Sequence, residues 1–181
     1  MSHTTLPTAG AGVAAAAPEP AAAIPLQVSA SGTAQVIEIV DAKGPVLRFQ
    51  SQTTADGTPG ITGYTSTDVI DLSTGTGSGR NRFVGGDGDE LFGSFTVQAV
   101  PGPEAGSLML EGRTTFSGGT GRFAGATGSA GFTGSGRFVS DTQALLSLVH
   151  SGHVALMAAP GAMAATGAGR PLSAAAAQQP G

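Results

Sequence analysis

The chain has 181 residues, 30 of them glycine and 11 proline, with no cysteine, no tryptophan, one tyrosine and a formal net charge of -4. This composition allows one domain with tails and excludes disulfides, thiolate nucleophiles and cysteine metal sites. With only 8 Lys and Arg, it offers neither the basic stripe nor the aromatic platforms that hold nucleic acid, so a nucleic-acid partner is not expected.

From Met1 to about Ala23 the sequence is Ala, Pro, Gly and Thr with almost no large apolar side chain, and it reads as a disordered tail. No Lys or Arg precedes Lys43, so this segment has neither the charged start nor the continuous apolar stretch of a secretory signal. Cytoplasmic residence is the expectation, without a membrane partner, because no later segment approaches the roughly 20 apolar residues that span a bilayer. Residues 159–181 repeat the Ala/Gly/Pro composition and read as a second tail, which leaves 24–158 as the globular domain.

Within the domain, alternation and turn residues predict strands. Gln35 to Asp41 sets Val36, Glu38 and Val40 against Ile37 and Ile39, a period of two. Val46 to Gln52 is the next extended run, and after the ADGTPG turn Thr65 to Leu72 is another, with GTGSG then breaking the chain. Leu91 to Val100 sets Leu91, Gly93, Phe95, Val97 and Ala99 against Phe92, Ser94, Thr96, Gln98 and Val100. Ser107 to Phe116 sets Leu108, Leu110 and Phe116 against Met109, Glu111, Arg113 and Thr115. Ala130 to Phe138 and Ala144 to Leu156 complete the series. Seven or eight strands at short spacing, with no amphipathic helix, predict an all-β fold: a single closed or nearly closed antiparallel β-barrel of about eight strands.

Few side chains carry chemistry. His150 and His153 are three residues apart, which on a strand sends them to opposite faces and makes joint metal binding awkward. One is expected inside or at an edge and the other in solvent, with no metal and no cofactor. GDGDE at Gly86 to Glu90 lacks the ligand spacing of a calcium loop and reads as a hairpin turn in which Asp87 and Asp89 cap their own backbone. Glu38 is the candidate catalytic residue. If the Val36, Glu38, Val40 face lines the barrel, its carboxyl is desolvated and usable as a general acid or base. The opposite phase, with Ile37 and Ile39 inside and Glu38 paired to a cation on the next strand, is the one alternation alone favours. Glu111 and Arg113 share one strand face with Met109. Were that face internal, the three would orient a ligand in an apolar lumen.

The segment GGTGRFAGATG, Gly118 to Gly128, is a tight corner between strands in which Phe123 is the one large apolar anchor, expected to plug one end of the barrel. It resembles the GG(S/T)GxFxGxxG corner of the allene oxide cyclase family, and more loosely the GGTGxF corner of dirigent proteins. VIEIVDAKGP at Val36 to Pro45 is similar to that family's first strand, and GIT at Gly60 and GDGDEL at Gly86 follow in the same order. The resemblance implies a cofactor-free barrel around an apolar substrate, with Glu38 assisting rearrangement. In the set that holds a water in that family, Val40 stands at the Asn position, Gly44 at the Ser position, and Pro45 is retained. The function implied is a cofactor-independent cyclase or isomerase of an oxylipin-like or polyketide-like molecule, assembled as a homodimer or homotrimer. Val36, Val40, Pro45, Met109, Glu111 and Arg113 form the expected ligand-binding set. The alternative is a non-catalytic barrel that binds an apolar small molecule or guides coupling as dirigent proteins do.

Overall fold

A computed structural model describes residues 20–41 and 44–157. Eight antiparallel strands close into one barrel in simple sequence order: β1 (Pro20–Asp41), β2 (Val46–Thr58), β3 (Ile61–Asp71), β4 (Thr76–Gly85), β5 (Glu90–Pro101), β6 (Ser107–Gly119), β7 (Thr127–Ser140) and β8 (Gln143–Met157). The 22-residue β1 closes the barrel by pairing with both β2 and β8. Closure gives each strand two hydrogen-bonded neighbours. The expected all-β barrel is therefore the observed fold. The expected tails lie outside the described residues, except Pro20–Ala23, which belong to β1.

Alternation decides what fills the barrel. Leu26, Val28, Ala30 and Ala34 of β1 point inward, as do Leu91, Phe95, Val97 and Ala99 of β5, in the phase expected for β5. The pattern in β4 is different. Its inward positions Gly77, Gly79 and Asn81 precede the one large inward residue, Phe83. A Cβ at Gly77 would crowd Ile70 and Val97 on the flanking strands, so the large side chains of β3 and β5 occupy the space that β4 leaves. GTGSG is thus the end of a turn and the start of a strand, rather than only a break.

One end of the barrel is plugged. Leu26, Ile61, Phe83, Leu91 and Val154 meet there, and Phe123, on the short helical turn Gly121–Phe123 between β6 and β7, is fully buried among them. The glycine corner holds this anchor as expected. Asp89 corrects the expected turn: its carboxylate accepts from the backbone N–H of Arg122 across the barrel end at 3.2 Å, instead of capping its own loop. Arg122 Nε stands 3.8 Å from the same carboxylate, its guanidinium lies over the Phe123 ring at 4.8 Å, and its Nη2 donates to the Gly60 carbonyl.

Candidate functional site

The other end of the barrel is open. Between Ala34 of β1, Phe49 of β2 and Phe138 of β7 a cavity of ≈ 60 Å³ leads inward. Its outer wall is made by Leu108, Leu110, Phe138 and Leu146, all half-buried, and its inner wall by Tyr64, Phe95, Phe132 and Leu148, all buried. The rings pack at open angles, Phe49 to Phe138 with centroids 6.3 Å apart and Phe95 to Phe132 edge-on at 5.7 Å.

Polar atoms enter this wall from β2 and β3. Tyr64, Ser66, Asp68 and Ile70 share the inward parity of β3, and Ser51 joins them from β2. Asp68 is 7% exposed, and the Ser66 hydroxyl donates to its Oδ1 at 3.1 Å. Burial disfavours the charged carboxyl and the serine bond favours it. Burial prevails, so the carboxyl is pushed up to about 6. The same burial raises the Tyr64 phenol, with the side chains of Ser66 and Asn81 acting in the opposite sense. Among the described residues, no Lys, Arg or His lines the cavity, and Asp68 is its one carboxylate.

Beneath the cavity sits His150. It is fully buried, with ring centroids of Tyr64, Phe83 and Phe132 at 5.1, 5.0 and 5.2 Å. Desolvation lowers its imidazole to about 4, so the ring is neutral at pH 7. Neither ring nitrogen has a hydrogen-bond partner among the described residues, nor does Asn81 Oδ1, although Asn81 Nδ2 donates to Thr114 at 2.9 Å. His153 is exposed, which is the split that the three-residue spacing predicts. No group of three or more His, Asp or Glu among the described residues is placed to hold a metal ion.

Glu38 does not line the lumen: of the two phases open to it, the structure takes the outward one, with the ion pair to the next strand that alternation favours. Even-numbered residues of β1 point inward from Leu26 to Val36, and an unbroken strand would carry Glu38 inward as well. The β1 to β2 register instead steps between Val36, opposite Phe49, and Glu38, opposite Arg48. That one-residue bulge at Ile37 reverses the phase. Glu38 turns outward, its side chain 54% exposed, and its Oε2 accepts from Arg48 Nε at 2.6 Å. Ile37, Ile39 and Val40 then stand at the barrel rim, largely in solvent. Val36 is half-buried against the core without lining the cavity, and Pro45 is exposed in the turn that follows β1.

Met109, Glu111 and Arg113 also face outward, and Arg113 Nη2 donates to Ser129 Oγ at 2.6 Å on the outer surface of β7. The odd-numbered face of β6 is the outer one, so the expected ligand-orienting pair is a surface pair, and Leu108 and Leu110 supply the lumen instead. The polar part of the cavity wall comes from residues that the strand pattern contains without singling them out, Ser66 and Asp68. Their shared parity with Tyr64 and Ile70 was the available signal.

Compared with known protein families, curated proteins and solved structures, the chain matches none.

Proposed function

We propose that this protein binds an apolar small molecule in the open end of its barrel, with the polar end of that molecule directed at Asp68. The observation that carries this reading is a buried carboxyl at the inner wall of a largely apolar, open-mouthed cavity. Burying an ionisable group costs several kcal/mol unless a partner offsets it, so such a group in a cleft marks a place where a ligand interacts. The cavity volume, ≈ 60 Å³, lies well below the roughly 300 Å³ of a typical ligand pocket. The ligand therefore inserts a head of a few heavy atoms, and its body rests against Leu108, Leu110, Phe138 and Leu146 at the mouth.

Saturation-transfer NMR with 2-phenylethanol, a single ring with a polar end, tests the reading. Ala144 lines the cavity with little side chain of its own, and Ala144→Phe fills it. Binding should saturate in the native protein and disappear in Ala144→Phe with the β-type circular dichroism unchanged. Equal binding in both proteins moves the site out of the barrel and ends the proposal.

The same carboxyl supports a second reading, a cofactor-independent isomerase or cyclase of the kind its glycine corner resembles. A group pushed up to about 6 exchanges protons readily near neutral pH. Asp68 then takes the acid/base part expected of Glu38. Under this reading Asp68→Asn lowers turnover of a substrate by about 10²- to 10⁴-fold while binding persists.

A further inference from the structure

Resting on the reading of the lumen as a binding site, we propose that its ligand is an organic cation: an ammonium group carried on a small apolar or aromatic body. Three features of the wall point to this class. Asp68 is the cavity's one carboxylate, buried, and the bond it accepts inside the barrel is from a neutral hydroxyl. The surrounding wall is rich in aromatic residues, with Phe49, Tyr64, Phe95, Phe132 and Phe138 lining it. Among the described residues no cationic side chain lines the cavity to neutralise the carboxylate from within.

Each class of head group meets this wall differently. A carboxylate head, as on a fatty acid, would place a second negative charge beside Asp68 in a medium of low dielectric, where like charges repel strongly. A neutral hydroxyl or carbonyl can exchange a hydrogen bond with Asp68 or Ser66 but leaves the charge of Asp68 uncompensated. An inorganic divalent cation needs six or more oxygen ligands or a cluster of His and carboxylates, which the cavity lacks. An ammonium satisfies both demands together: it forms a charge-assisted hydrogen bond to the carboxylate and lies against aromatic rings that attract cations. Primary and secondary amines gain both terms. A quaternary ammonium keeps the aromatic term and the charge and loses the hydrogen bond.

Three probes of one shape separate the possibilities at pH 7.5: 2-phenylethylamine, 2-phenylethanol and phenylacetate. Affinities are read by NMR titration of the full-length protein, with Ala144→Phe as the control for binding outside the lumen. The amine should bind at least about tenfold more tightly than the alcohol, and the carboxylate more weakly than either. Asp68→Asn keeps the size of the side chain and its capacity to accept from Ser66, and it should bring the amine down to the level of the alcohol while moving the alcohol by no more than about twofold. If amine and alcohol bind the native lumen equally, the cation proposal is overturned and the apolar-binding reading stands. If the amine preference survives Asp68→Asn, the carboxylate is not its source and the proposal fails on that ground. If none of the three shows binding that Ala144→Phe abolishes, the underlying reading falls with it.

Discussion

Ser66 and Asp68 stand two residues apart on the inward face of β3, joined by a hydrogen bond from the serine hydroxyl to Asp68 Oδ1 at 3.1 Å. One neutral donor does not offset the burial of a carboxylate, which is why Asp68 ionises near 6 rather than near 3.8. His150, under the same cavity, is displaced for the same reason in the other sense, from 6.5 to about 4, because burial penalises its charged form too. The two groups therefore act oppositely on stability. Asp68 contributes stability that is complete below about 3.8 and is lost as pH rises through about 6. His150 contributes stability that is complete above 6.5 and is lost as pH falls through about 4.

Each contribution is on the order of 3 kcal/mol, and the windows overlap, so between about pH 4 and 6 the two slopes nearly cancel in the native protein. Single variants should reveal them. Asp68→Asn leaves the histidine slope, so its unfolding free energy should climb with pH across this window more steeply than that of the native protein. His150→Phe leaves the aspartate slope and should show stability falling as pH rises. Urea unfolding at pH 4.5, 5.5 and 6.5 measures both. Three parallel profiles would show that neither group is buried as described.

Arg48 and Glu38 give the contrasting case of a carboxylate whose charge is compensated at the surface. Their side chains are 39% and 54% exposed, and a solvated pair of this kind contributes about 0 to 1 kcal/mol. Glu38→Gln should shift the unfolding midpoint by no more than a couple of degrees and leave binding of 2-phenylethanol or 2-phenylethylamine within about twofold. A large loss of binding would mean that the rim around Ile37 and Ile39 belongs to the site.

The fold was legible in the sequence because most strands alternate cleanly. Leu91 to Val100 shows this best: every second residue is buried, in the expected phase. Legibility failed where the period was hidden or broken. β4 places glycines at inward positions to make room for Ile70 and Val97, so no apolar period marks it. The phase of Glu38 depends on a bulge at Ile37, and a bulge is a property of two strands in register, invisible in one. Asp68 is hidden in the sequence for a related reason. Ser66 and Asp68 look like part of an ordinary outer polar face until closure of the barrel turns them inward with Ile70 and the apolar Val69 partly outward.

Phe123 provides a direct test of the plugged end. Its side chain is fully buried among Leu26, Ile61, Phe83, Leu91 and Val154, and it is the large apolar residue of its corner. Phe123→Ala removes the ring and leaves a cavity, a change that typically costs about 3 to 5 kcal/mol. Thermal unfolding should show a midpoint lower by ten degrees or more, while the open end keeps its ligand affinity below the transition. An unchanged midpoint would place the ring in solvent.

The corner that presents Phe123 depends on a contact no larger residue permits. Gly121 has φ of 51°, in the left-handed region, and a Cβ added there would overlap the Asp89 carboxylate. Close approach of Asp89 is what lets its Oδ2 accept from the Arg122 backbone N–H and face the Arg122 guanidinium. Gly121→Ala therefore meets two obstacles, backbone strain of about 1 kcal/mol or more and displacement of Asp89. Asp89→Ala removes the latch but leaves the backbone conformation free, and should cost about 1 to 2 kcal/mol, the usual loss when an accepted charge-assisted bond is deleted. Once Asp89 is gone the steric obstacle at Gly121 is gone too, so the double variant should be less destabilised than the sum of the singles. Chemical denaturation of the three variants gives the coupling directly. Strict additivity would show that Gly121 and Asp89 act separately and that the corner is held by Phe123 alone.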